Sequence, residues 1–136
     1  MNTPSCPDYI KLEIRSIPPV SWTLEFKRDG SGGCDVLAFH HWPGMSASEA
    51  HRGKATEEAV SALHSALQAI HANPQSGNRR VIADGNLIEV RIPAGRFQFL
   101  TCEEGENGGE FQRCLWAACS GALDTATWQR WKLDSI

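Results

Sequence analysis

The chain contains no Cys-x-x-Cys pair, no Gly-x-Ser-x-Gly elbow and no phosphate-binding P-loop. The first absence excludes a zinc ribbon and a thioredoxin-type redox centre; the others leave no signature of a serine hydrolase or P-loop nucleotidase. Long apolar runs are missing too. The longest, Leu115-Trp116-Ala117-Ala118-Cys119, is far too short to span a bilayer. Met1–Asp8 offers neither a cationic start nor an apolar stretch, so no signal peptide is expected. A soluble, cytoplasmic protein with no membrane contact is the expectation. No basic stripe interleaved with aromatics occurs, which removes the usual electrostatic footprint for nucleic acid.

Five cysteines are present, an odd number at irregular spacing. They read as thiols in a reducing compartment, with Cys34, Cys102, Cys114 and Cys119 acting as small buried hydrophobes. At 136 residues the chain has the length of one domain, 1–136, and can bury a core without disulfide or metal. Its net charge of −3 is uneven. Residues 1–102 hold ten acids and ten bases, whereas 103–136 hold six acids against three bases.

Two stretches alternate with period 2, the pattern of half-buried strands. Ile10, Leu12 and Ile14 oppose Lys11, Glu13 and Arg15; Val20, Trp22, Leu24 and Phe26 oppose Ser21, Thr23, Glu25 and Lys27. Pro18-Pro19 separates them, and the glycine-rich stretch 29–33 leads to a third strand over Cys34–His41. Ser46 with Glu49 has capping-box spacing, and Thr56 offers a second helix start. The main helix is expected over about Ala55–His71, with Val60, Leu63, Leu67 and Ile70 as its apolar stripe and Asn73-Pro74 as its stop. Asp84-Gly85-Asn86 marks a hairpin between Arg79–Ala83 and Leu87–Ile92, and a strand over Arg96–Cys102 follows. Glu110–Leu123 has helical spacing with a strand as the alternative, and Asp124 caps a short helix bearing Trp128 and Trp131. Grouped strands and two helical regions predict an α+β fold: a mainly antiparallel sheet of about six strands in two groups, one long helix on it, and a helical C-terminal region.

The densest cluster of chemically capable side chains is His40, His41 and Trp42, followed by Glu49 and His51. Adjacent residues of a strand point to opposite faces, so His40 and His41 cannot share one ligand. His41 with Glu49 or His51 would make a small nitrogen/oxygen site, the basis of an alternative reading as a small enzyme or ligand-binding domain. No metal or cofactor is assigned. Arg52-Gly53-Lys54-Ala55, leading into an alanine- and leucine-rich helix, resembles the pyrophosphate loop of acetyl-CoA-dependent N-acetyltransferases. That resemblance implies phosphate binding at the helix N-terminus. Ala55 stands where the family has a second glycine, and Glu57-Glu58 follow at the helix start.

Glu103, Glu104, Glu106 and Glu110 crowd one loop, and Trp116, Trp128 and Trp131 crowd the last 21 residues. An acidic loop steers a basic partner, and exposed tryptophans anchor interfaces. The leading expectation is therefore a non-enzymatic binding protein, such as a small cytosolic inhibitor or immunity-type protein. It would meet a protein partner through Glu103, Glu104, Glu106, Glu110, Trp128 and Trp131. A homodimeric structural module is a third form.

Overall fold

The computed structural model describes residues 6–15, 21–41, 48–72, 86–101, 108–131 and 133. Six strands form one antiparallel sheet: β1 (Tyr9–Arg15), β2 (Ser21–Arg28), β3 (Gly33–His41), β4 (Ser48–Thr56), β5 (Asn86–Ile92) and β6 (Gly95–Thr101). Their spatial order is β4-β3-β2-β1-β5-β6. Helices α1 (Glu57–Ala72), α2 (Gly108–Cys119) and α3 (Thr125–Arg130) complete the α+β architecture.

The period-2 alternation dictates a sheet with two unlike faces. Ile10, Leu12, Ile14, Trp22, Leu24 and Phe26 are all buried on one face, where they meet Cys34, Val36, Ala38, Ile88, Val90 and Phe99 from the neighbouring strands. Cross-strand register holds the layer together: Leu12 pairs with Leu24 on one side and Val90 on the other. The β2–β3 turn is closed by Asp29, whose Oδ1 accepts hydrogen bonds from the Ser31 amide and hydroxyl, each at 2.8 Å. Gly30 and Gly32 have φ of 82° and 93°, a backbone shape that side chains disfavour.

Helix α1 lays its expected stripe on this layer, with Val60, Leu63, Leu67 and Ile70 all buried. Burying each such side chain is worth about 1.5–3 kcal/mol. Thr56 caps the helix, its Oγ1 accepting from the Ala59 amide at 3.1 Å. The second helical segment resolves as helix α2, which buries Phe111, Leu115, Ala118 and Cys119. Asp124 caps α3 as expected, accepting from Thr127 N at 2.7 Å.

One element departs from the sequence pattern. Ser48–Thr56 is an edge strand, not a helix start, so the Ser46/Glu49 capping box is corrected: Glu49 sits in the β3–β4 ladder opposite His40. Four strands therefore precede α1, where the pattern predicts three. The expected strand at 79–83 lies outside the described residues. Among the described residues, no helix is long and apolar enough to cross a membrane.

Candidate functional site

Among the described residues, the expected site residues and the surface charges fall in three regions: the inward face of edge strand β4, the C-terminal helix, and the sheet face on which no described helix packs. On β4, Glu49, His51, Gly53 and Ala55 point toward the helical layer because their cross-strand partners are His40, Ala38, Val36 and Cys34. His40, Glu49 and His51 thus converge, with His40 in the place where the sequence pattern expects His41. His41 does not join them; it is exposed on the opposite face, and Trp42 lies outside the described residues. The two- or three-ligand site expected to join His41 with Glu49 or His51 is corrected accordingly, since strand alternation turns His41 away.

What the convergence builds is a clamp. Arg130 of α3 grips Glu49 with both guanidinium nitrogens, Nη1 to Oε1 at 2.6 Å and Nη2 to Oε2. His51 Nε2 lies 2.6 Å from the same Oε2. The Arg130 pair, and then the His51 bond, hold the Glu49 carboxyl down at about 2. Trp131 covers the cluster, with ring centroids 5.0 Å from His40 and 5.5 Å from His51. Trp22 meets His40 edge-on at 5.3 Å. His40 is 1% exposed, and burial lowers its pKa to about 4. It is a neutral ring at pH 7. Glu49 is thus satisfied internally, and residues 81 positions apart are tied together. Among the described residues, no group of three or more His, Cys, Asp or Glu side chains is placed to hold a metal ion.

The C-terminal tryptophans belong to the core. Trp131 is 1% exposed and Trp128 is 7% exposed, the latter packed edge-on against Trp116 at 5.0 Å. Their expected role as exposed anchors is corrected: the i, i+3 spacing puts both on the face of α3 that docks on the protein's own layer. Of the acidic group, Glu110 is exposed in the first turn of α2. Glu103, Glu104 and Glu106 lie outside the described residues.

The phosphate-loop reading of residues 52–55 is also corrected, because Arg52-Gly53-Lys54 runs as extended strand within β4. Gly53 has a packing role there. A Cβ at this position would lie 2.1 Å from the Gly121 carbonyl oxygen, in the turn between α2 and α3. The approach is mutual, since a Cβ on Gly121 would lie 1.9 Å from the Lys54 carbonyl oxygen. No family model, curated protein or solved structure matches this chain.

The third region is the outward face of the sheet, on which no described helix packs. Its charged side chains follow the register: Lys11, Glu13 and Arg15 on β1, Glu25 and Lys27 on β2, Asp35 on β3, Arg52 and Lys54 on β4, Glu89 and Arg91 on β5, Arg96 on β6. Seven cations stand against four acids here, although the whole chain has thirteen against sixteen. The face is thus positive on a protein that is negative overall. Several charges neutralise one another: Lys11 pairs with Glu13 at 3.5 Å and with Glu25 at 3.9 Å, and Lys54 with Asp29 at 3.2 Å. Lys27, Arg52 and Arg96 have no ion-pair partner among the described residues.

Two of those cations flank a depression of about 310 Å³ lined by Glu25, Lys27, Asp35, Val36, Leu37, Arg52 and Gly53. Leu37 and Phe39 are half-buried on the same face, and Tyr9 is 39% exposed. Alternation marks the outward residues of β1 and β2, whose charges balance with Asp35 of β3. The charge excess forms only when β4, β5 and β6 bring Arg52, Lys54, Arg91 and Arg96 alongside.

Proposed function

We propose that this is a non-enzymatic binding protein of the cytoplasm that acts through a protein partner, as a small inhibitor or immunity-type protein does. It meets that partner through the outward face of its sheet. The observation that carries this reading is the face itself: a six-stranded surface on which no described helix packs, with Lys27 and Arg52, cations without an ion-pair partner among the described residues, beside Leu37 in a depression that Glu25 and Asp35 also line.

Size supports the reading. Five inter-strand gaps of about 4.8 Å give a width near 24 Å, and strands of seven to nine residues give a length of about 23–30 Å. The resulting area, on the order of 600–700 Å², approaches the ~800 Å² that each partner contributes to a standard interface. Chemistry supports it as well. Leu37, Phe39 and Tyr9 provide apolar contact, while Lys27 and Arg52 await carboxylates, so the fitting partner presents an acidic surface. The His40–Glu49–His51 cluster is engaged within the fold, which weighs against the alternative enzyme or ligand-site reading.

The test is affinity capture from native-host extract with the wild-type protein and with Lys27→Glu/Arg52→Glu. Both side chains are peripheral to the core, so the variant should fold normally by circular dichroism. An acidic protein retained by the wild type and lost by the variant, with association slowing as salt rises, is the expected result. Capture unaffected by the variant would move the interface elsewhere on the surface. Retention abolished by nuclease would replace the protein partner with nucleic acid.

A further inference from the structure

Cys6 precedes β1, and Cys34 is the second residue of β3. Although 28 positions apart, their sulfurs lie 3.7 Å from each other, in hydrogen-bonding contact. Both are free thiols, and both are buried. This proximity is a tertiary product: the register that places Arg28 opposite Cys34, with the Arg28 amide donating to the Asp8 carbonyl at 3.0 Å, brings the segment before β1 over the start of β3. Cys114 and Cys119 have no such sulfur neighbour among the described residues.

We propose that Cys6 and Cys34 form a reversible modification site, a dithiol that exchanges with a small-molecule disulfide and closes to an intramolecular bridge. The two positions are suited to different steps. Cys6 lies outside any strand or helix at the edge of the core, 7% exposed, and besides Cys34 its thiol hydrogen-bonds, among the described residues, to the neighbouring Pro7 carbonyl at 3.5 Å. It can swing outward without breaking a ladder bond. Cys34 is fixed between Arg28 of β2 and Ala55 of β4 and is fully buried. Burial first, and then the hydrogen bond to Cys6, pushes its thiol pKa up, so it is a poor initial nucleophile but a well-placed second one.

The exchange balances in two displacements. Cys6 thiolate attacks one sulfur of the external disulfide, forms a mixed disulfide and releases one thiolate. Cys34 then gives its proton to solvent or to the departing thiolate and attacks the Cys6 sulfur, which releases the second external thiol. The protein loses two protons and two electrons, and the external disulfide takes up both to become two thiols. Closing the sulfurs from 3.7 Å to bonding distance requires side-chain rotation at Cys6 and a small shift of residues 6–8. The bridge encloses the β1–β2 hairpin in a covalent loop and so restricts the unfolded chain.

The experiment treats the full chain with oxidised glutathione under native conditions, then alkylates it in denaturant for intact mass and peptide mapping. Thiols should fall from five to three, with the Cys6 and Cys34 peptides joined and restored to thiols by dithiothreitol. Cys34→Ser should stop at a mixed disulfide on Cys6, whereas Cys6→Ser should keep its remaining cysteines reduced. The bridged form should melt roughly 5–15 °C higher than the reduced form. Persistence of all five thiols, a stable glutathione adduct on wild-type Cys6, or a bridge to another cysteine would overturn the proposal. If a serine variant fails to fold, the wild-type peptide map decides alone.

Discussion

Replacing Gly53 with alanine tests the packing between β4 and the α2–α3 turn. The added methyl would sit 2.1 Å from Gly121 O, 2.5 Å from Gly121 C and 2.6 Å from Ala122 Cα, all of them backbone atoms. An ordinary contact begins near 3.4 Å, so strand and turn must separate by about 1.3 Å. No side chain can rotate aside to relieve this. Overpacking of that kind costs roughly 1–3 kcal/mol, occasionally more. Alanine recovers about 0.5–1 kcal/mol through its better backbone propensity in a strand, so the net loss should be about 1–2 kcal/mol. In a chain of this size that lowers the melting point by about 3–10 °C. Urea denaturation of Gly53→Ala, Gly121→Ala and the double variant is the assay. Because one separation relieves both clashes, the double variant should lose less than the sum, with coupling on the order of 0.5–3 kcal/mol. A neutral or stabilising Gly53→Ala, or strict additivity, would refute the close approach.

Acid should weaken the fold in two windows. His40, lowered to about 4 by burial, resists a proton that the unfolded chain takes up near 6.5, so its stabilisation is complete above that value and is lost as pH falls toward 4. Glu49, lowered to about 2, contributes fully above its ordinary 4.5 and fades as pH falls toward 2. Thermal melts across pH should show the upper slope flattened in His40→Phe and the lower one in Glu49→Gln; unchanged slopes would count against the clamp. Trp131→Ala should cost about 3–5 kcal/mol, and the share of indole emission that this substitution removes should be only weakly quenched by acrylamide in the wild type. Strong quenching that Trp131→Ala removes would mean this indole is exposed. Arg96→Glu, on an exposed cation with no ion-pair partner among the described residues, should change stability by less than about 0.5 kcal/mol while weakening partner capture.

Local patterning carried much of this architecture. Alternation in β1 and β2 fixed which residues face the core, because a one-residue slip would turn Leu12 and Leu24 to solvent. The 3.6-residue stripe of α1, its Thr56 cap and the Asp124 cap of α3 are equally local, set within a few residues of chain. Strand β4 is the contrary case. Its inward residues are Glu49, His51, Gly53 and Ala55, so it offers no apolar period to recognise. They are small or polar because of what meets them across the fold: Arg130 binds Glu49, Trp131 covers His51, and the Gly121 turn leaves no room beside Gly53. The same holds for the candidate sites. The sequence supplied adjacent histidines, paired tryptophans and scattered lysines and arginines. Tertiary structure alone decided that His40 faces inward, that Trp131 closes over it, that Cys6 reaches Cys34, and that the cations gather on one bare face. Each of those outcomes depends on strand order and register between segments distant in sequence, and neither quantity is encoded in any single window of the chain.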